Sequence, residues 1–271
     1  MIEAYAQHPL SRAAIIERIN RSNPLLSPVR ELDIAVDPHE EVTDQNHIGG
    51  ALSTLRLAAL AGVTAESRVL DLGCGIGGPA RLLTEIFGCQ VHGLDANPAR
   101  ICDAIALAEL VQLGDRASFE RADFLTYSYS RDYTLVWVQN SWIHVGDPLR
   151  LARIVVSALG ESGQLAFEDV VLRRSEVTPE EQRLLDEVSV AWRSSFSASG
   201  DWISGFAEAG LRIRSIAHDD RMMITHLSRL CALAERYPHR YPHHEIVGWR
   251  SALKLSRAGV LGYTRIVSAM S

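Results

Sequence analysis

From about Ser53 onward, short runs of β-branched and aliphatic residues alternate with stretches of helical period. The runs fall at residues 68–72, 90–94, 117–120, 133–138 and 164–171, lengths that suit strands. Between them lie "GPARLLTEIFG", "NPARICDAIALAELVQLG" and "DPLRLARIVVSALG", which place apolar residues three and four apart. Strands alternating with helices predict βαβ units and a doubly wound, mainly parallel α/β sheet. After Val171 the alternation breaks: "TPEEQRLLDEVSVAWRSSF" predicts a helix with Thr178 as N-cap and Pro179 in its first turn. "DWISGFAEAG" predicts a short helix closed by Gly210, and "LRIRSIAHD" a strand. Helices near residues 222–236 and 245–258 then precede a last strand, "YTRIVSA". With no helix after it, that strand can enter a seven-stranded sheet reversed.

Residues 1–50 carry Pro9, Pro24, Pro28 and Pro38 and read as a helix followed by irregular chain, a cover segment for a domain spanning 51–271. Helical insertions at about 172–198 and 222–258 are expected to lie over the strand ends as a lid. The start, "MIEAYAQHPLSRAAIIERI", has an amphipathic helix pattern rather than that of a signal peptide.

Composition narrows the function classes. The 271 residues are 47% hydrophobic, enough to form one sizeable core. A formal net charge of −6 argues against a general nucleic-acid binder. Lys254 is the only lysine, which reads as compositional bias. Cys74, Cys89, Cys102 and Cys231 are scattered without a C-x-x-C pair, so neither disulfides nor a zinc site are expected, and a reducing cytoplasm fits. No apolar window approaches a membrane span of roughly 18 residues. His239, His243, His244 and Glu245 resemble metal ligands by composition but read as a solvated turn; no metal is expected.

The chemistry centres on "VLDLGCGIGGPARLL", residues 69–83. Gly73, Gly75 and Gly78 satisfy G-x-G-x-x-G, a strand-to-helix turn that lets a ligand approach the backbone. Asp71 decides between ligands. A carboxylate there would repel a dinucleotide's pyrophosphate and attract a sulfonium or ammonium. S-adenosylmethionine is therefore favoured over NAD. Asp95, ending the next strand about 20 residues beyond the glycines, falls where such folds bind ribose hydroxyls, although an N-cap role is the alternative.

In order and spacing, "VLDLGCGIGGPARL", "VHGLDAN", "RADF" and "QLAFEDVV" resemble the class I S-adenosylmethionine-dependent methyltransferases. "DQNHIGG" at 44–50 adds a resemblance to the small-molecule branch with tocopherol, sterol, sarcosine/dimethylglycine and sugar or terpenoid methyltransferases. The likeness is strong over roughly residues 42–171 and weak at "GYTRIVSAM". It implies a Rossmann-like fold, S-adenosyl-L-methionine as cofactor, S-adenosyl-L-homocysteine as product and a small-molecule methyl acceptor. It also implies that Gly73, Gly75 and Gly77 line the methionine portion, with Asp71 facing its charged groups. Asp95 and Ala96 are assigned to ribose and adenine, Asp123 and Phe124 to the adenine amino group and ring, Gln139 to the methionine part, and Gln45 to a segment folded over the cofactor.

A base is needed only if the acceptor must lose a proton. His144, just beyond the fourth strand, and Glu168 or Asp169, near the end of the fifth, are the candidates, with Asp169 expected to reach the imidazole. Trp142 as a pocket wall, Trp192, Phe196 and Trp202 in the inserted region, and Tyr5 and His8 from the N-terminal helix are the candidate acceptor contacts. An RNA or protein methyltransferase is disfavoured by the charge and by "QNSWIHV" where nucleic-acid enzymes often carry Asn-Pro-Pro-Tyr. A non-catalytic cofactor-binding protein remains the other alternative.

Overall fold

The computed structural model describes residues 10–22, 28–36 and 43–271. Strands β1 (Arg68–Leu72), β2 (Gln90–Asp95), β3 (Ala117–Arg121), β4 (Tyr133–Gln139), β5 (Leu159–Leu172), β6 (Leu211–His218) and β7 (Leu261–Met270) form one seven-stranded sheet. Their order is β3-β2-β1-β4-β5-β7-β6. The pairs among β1 to β5 are parallel, and β7 lies antiparallel to both β5 and β6. The reversed last strand expected from the sequence is present.

Pleating assigns each apolar run to two cores. Leu70, Leu72, Val136, Val138, Leu165, Phe167 and Ile266 face one side. There they meet α6 (Pro148–Ala158) and α8 (Ser199–Glu208). Val69, Val91, Leu135, Trp137, Ala166 and Val267 face the other, under α3 (Gly50–Ala61) and α4 (Gly78–Phe87). The pattern reading names no helix at α3, because "GALSTLRLAALA" opens on glycine and its apolar residues crowd without a clear stripe. Helix α5 (Pro98–Leu110) joins α1 (Arg12–Ser22) and α2 (Glu31–Ala35) through Leu107, Ile15 and Ile34.

Strand β5 is longer than expected, beginning at Leu159 directly after α6. A third layer contains α7 (Pro179–Trp192), α9 (Asp220–Arg236) and α10 (His243–Arg257). Thr178 caps α7, accepting from Glu181 N–H while the Glu181 carboxylate accepts from Thr178 N–H. Leu184, Val188, Met223, Leu227 and Trp249 pack in this layer with Val170, at the carboxyl end of β5, and with Leu261, at the start of β7. Ile48 and Ile143 belong to the same cluster. No helix among the described residues is long and apolar enough to cross a membrane.

Trp202 centres an aromatic group, its ring 4.9 Å from Phe167, 5.7 Å from Trp142 and 6.0 Å from Phe206. Trp202→Ala is expected to lower unfolding free energy by about 3–5 kcal/mol, the range for truncating a buried large aromatic. A chemical denaturation midpoint close to wild type would contradict this packing.

Candidate active site

The glycine turn leaves β1 with Gly73 at φ 82°, in the left-handed region. A Cβ on Gly73 would lie 2.5 Å from the Ser141 Cβ, so glycine permits the β1 and β4 loops to meet. The Gly73 and Cys74 N–H groups donate to Leu94 O at 2.8 and 3.0 Å, tying the turn to β2. Ser141 Oγ donates to Leu72 O at 2.7 Å, tying the β4 loop to β1.

These turns border a cavity at the carboxyl ends of the parallel strands. Its wall includes Asp71 and Gly73 from β1 and its turn, Gly75, Asp95 and Ala96 beside β2, Asp123 and Phe124 after β3, and Gln139, Asn140, Ser141 and His144 at and beyond β4. Asp44, Asn46 and His47 close it from the chain preceding α3. Asp95 does not cap α5. Asn97 does so, accepting from Ala99 and Arg100 N–H. The Asp95 carboxylate instead accepts from Gly75 N–H at 2.9 Å and Asn97 N–H at 2.8 Å, bonds that hold it at the rim.

Asp71 is 3% exposed, and its Oδ2 has no hydrogen-bond partner among the described residues. Burial, and then repulsion from Asp95, raise its pKa from 3.8 to about 8. A buried carboxylate so arranged fits a cationic ligand, which would replace lost solvation and favour the ionised form. His47 is pushed down to about 4 by burial and is neutral at pH 7. Burial also lowers the pKa of His144, while its Nδ1 bonds Arg193 O at 3.2 Å.

Two buried ionic networks flank the cavity. In one, Arg81 donates to Glu31 at 2.9 Å, Asp44 at 2.6 Å and Ile76 O at 2.6 Å. In the other, Glu168 pairs with Arg265 and accepts from Ser53 Oγ at 2.6 Å, Tyr263 OH at 2.6 Å and Gln139 Nε2 at 3.0 Å.

Several expected placements change. Glu168 is wholly buried in its ion pair and is not part of the cavity wall. Asp169 does not reach His144; its Oδ2 accepts from Trp142 and Ile143 N–H at 3.0 and 3.2 Å. Trp142 is fully buried among Phe167, Trp202 and Phe206 and forms no wall. Trp192 and Phe196 meet edge to face, 6.3 Å apart, in the helical layer. Gln45 turns its amide to Asp44 and Thr54, leaving the cavity to its neighbours. Gly77 is not part of the cavity wall, and a Cβ on it would lie 2.5 Å from the Phe119 ring and 2.7 Å from the Arg81 guanidinium. Tyr5 and His8 lie outside the described residues.

The sequence reading passed over Asn46, His47, Arg100, Asn140 and Ser141 as wall residues. Asn140 alone left a structural trace, a φ of 50° that few non-glycine residues adopt. Its left-handed backbone directs the chain across the end of β5, where its N–H donates to Glu168 O at 2.9 Å.

The strand order, reversed β7 and acidic ends of β1 and β2 define a Rossmann-like domain with a ligand cavity at its topological switch. A family model described as a methyltransferase domain matches residues 45–230, and the chain belongs to that family. It is 33% identical over 125 residues to methyltransferase GfsG of Streptomyces halstedii, covering 46% of this chain and 45% of the relative. It is 25% identical over 222 residues to the glycine/sarcosine/dimethylglycine N-methyltransferase of Actinopolyspora halophila, covering 77% and 38%. The chain thus spans less than half the length of these curated relatives. Among solved structures, Haemonchus contortus phosphoethanolamine N-methyltransferase 2 in complex with S-adenosyl-L-methionine shares the fold. Its TM-score is 0.76 at 16% identity, with 99% of this chain and 59% of that chain covered.

Arg81→Ala would leave Glu31 and Asp44 buried without their shared cation. The expected loss is about 3–5 kcal/mol of unfolding free energy, as for one partner removed from a buried pair. Denaturation of Arg81→Ala beside Arg81→Ala/Glu31→Gln measures it: the second change should recover part of the loss, and additive losses would contradict the network.

Proposed function

We propose that this chain transfers a methyl group from S-adenosylmethionine to a small-molecule acceptor. The observation that carries this reading is Asp71, a buried carboxyl group with an unsatisfied oxygen on the wall of a cavity that Asp95, at the end of the next strand, also lines. S-adenosylmethionine, when bound, supplies a methyl on a positively charged sulfur that reacts once aligned with a nucleophile. Asp95 would take the ribose hydroxyls, Ala96, Asp123 and Phe124 would hold the adenine, and the Gly73 and Gly75 backbone would admit the methionine part. Gln139 would act as a wall, because its Oε1 accepts from Thr54 and its Nε2 donates to Glu168.

The acceptor would enter beyond β4. His144 is the base for an acceptor that must lose a proton, and burial keeps it neutral and receptive near pH 7. The segment before residue 51 and the helices within 172–198 and 222–258 serve as cover and lid. The common cluster of Ile48 and Ile143 with α7, α9 and α10 supports this role. The four cysteines are free thiols, which supports a cytoplasmic enzyme.

Two measurements test the proposal. In the ligand-free protein Asp71 holds its proton up to about pH 8, well above the usual carboxyl value. Its contribution to stability is therefore present in acid and lost as pH rises from about 4 to about 8. A cationic ligand requires the carboxylate, so binding should release up to about one proton near pH 7. Titration calorimetry with S-adenosylmethionine should show affinity rising from pH 6 to pH 8 and levelling above, with the slope lost in Asp71→Asn. Binding of NAD in place of S-adenosylmethionine would overturn the reading.

The second measurement is turnover to S-adenosylhomocysteine over a panel of amines, hydroxylated aromatics and prenyl diphosphates. For an acceptor that must be deprotonated, His144→Ala should lower turnover by roughly 10²–10⁴ with cofactor affinity retained. Normal turnover in the folded variant would assign the reaction to alignment alone.

A further inference from the structure

The turn that carries His144, Trp142–His144, is gripped from two sides. From within the sheet, the wholly buried Asp169 accepts Trp142 N–H at 3.0 Å and Ile143 N–H at 3.2 Å on one oxygen. Its other oxygen accepts Val170 N–H at 2.8 Å. From the helical layer, the chain leaving α7 supplies main-chain groups. Arg193 O bonds His144 Nδ1 at 3.2 Å, and Ser195 N–H donates to Ile143 O at 2.6 Å. Arg193 itself has φ 48°, a left-handed conformation costly for a side-chain-bearing residue, which directs its carbonyl at the imidazole. Ser195 packs so close to the end of the turn that a Cβ on Gly146 would lie 2.8 Å from its Oγ.

The hydrogen-bond chemistry fixes the imidazole. A backbone carbonyl only accepts, so His144 Nδ1 must carry the hydrogen, and the neutral ring then has its lone pair on Nε2. Three N–H donors converge on Asp169, and only an acceptor-only group satisfies all of them. An asparagine would turn its own N–H groups toward at least one of these donors. We infer that Asp169 and the main chain of Arg193 and Ser195 form a positioning clamp that holds His144 in the Nδ1–H tautomer and makes Nε2 its proton-accepting atom. Asp169 is thus a positioning residue acting through the backbone. The use made of Nε2 rests on the methyltransferase reading; the clamp does not.

The test is nitrogen-15 NMR of the full chain labelled at histidine, at pH 8, with His144 assigned by loss of its signals in His144→Gln. The wild type should show one pyrrole-type Nδ1 and one pyridine-type Nε2. In Asp169→Asn the two shifts should move toward each other as the tautomers mix. In a uniformly nitrogen-15-labelled sample of the same variant, the Trp142 and Ile143 amides should exchange with solvent roughly 10- to 100-fold faster, as expected for losing bonds to a charged group. S-adenosylmethionine affinity should stay within about twofold, because Asp169 is outside the cavity wall. Should Asp169→Asn not fold, Ser195→Pro removes the N–H on Ile143 O and should produce the same mixing. An Nε2–H tautomer in the wild type, or unchanged ring shifts in a folded variant, would overturn the clamp. Failure of the wild type to bind S-adenosylmethionine would overturn the methyltransferase reading and leave the tautomer result intact.

Discussion

The buried guanidinium of Arg81 is the interaction on which the cavity depends. Arg81 rises from α4, directly after the glycine turn, and is wholly shielded from solvent with Glu31 and Asp44. Burying one of these charges alone would cost several kcal/mol, so each segment is held where the other two complete it. The Ile76 carbonyl, inside the glycine turn, takes a further N–H from the same group. One side chain therefore couples the floor of the cavity to the chain that roofs it. Gly78 permits the contact, because a Cβ there would lie 2.4 Å from the Asp44 carbonyl.

Glu168 and Arg265 do similar work on the opposite flank. Their ion pair bridges β5 and β7, and Asp219 before α9 adds a second carboxylate to Arg265 at 3.0 Å. Ser53 of α3, Tyr263 of β7 and Gln139 of β4 donate to Glu168, so four separate elements share one buried carboxylate. Burial raises the pKa of Glu168, and the guanidinium and these donors offset only part of that shift. Both networks are structural, and their charges are spent before any ligand arrives.

The legible parts of this chain were those governed by local rules. The apolar runs of the strands, Thr178 as the N-cap of α7, and Asp71 two residues before Gly73 each work over a few residues and can be read from spacing. The roles of Trp142 and Asp169 depend on long-range contacts. Trp142 is placed by Phe167 and Trp202, and Asp169 by backbone N–H groups 26 and 27 residues away. Sequence reading pairs an acid with a histidine by side-chain chemistry. Here the acid meets the histidine's own turn through its backbone, which carries no residue-specific signal. His47 is a related case: it lies inside the "DQNHIGG" segment, but which of that segment's side chains reaches the cavity follows from the Asp44–Arg81 bond, which the motif does not encode.

Placed along the carboxyl edge of the sheet, these contacts sort the polar groups of the cavity wall into two kinds. Moving inward from β3, the cavity wall presents Asp123, Asp95 and Asp71, with Asp71 carrying the oxygen that nothing else in the described chain satisfies. Beyond β4 the wall changes to Asn140, Ser141 and a neutral His144. The carboxylates of β5 contribute no net demand there, since Glu168 is paired with Arg265 and Asp169 is filled by three N–H groups. One half of the cavity thereby holds the acids, with the Arg100 guanidinium beside them, and Asp71 there ionises as a cation is held. The other half keeps neutral groups that accept and donate hydrogen bonds without competing for that cation. A site so divided can bind a positively charged donor and a separate acceptor side by side, because the side that orients the acceptor does not pull the donor out of register.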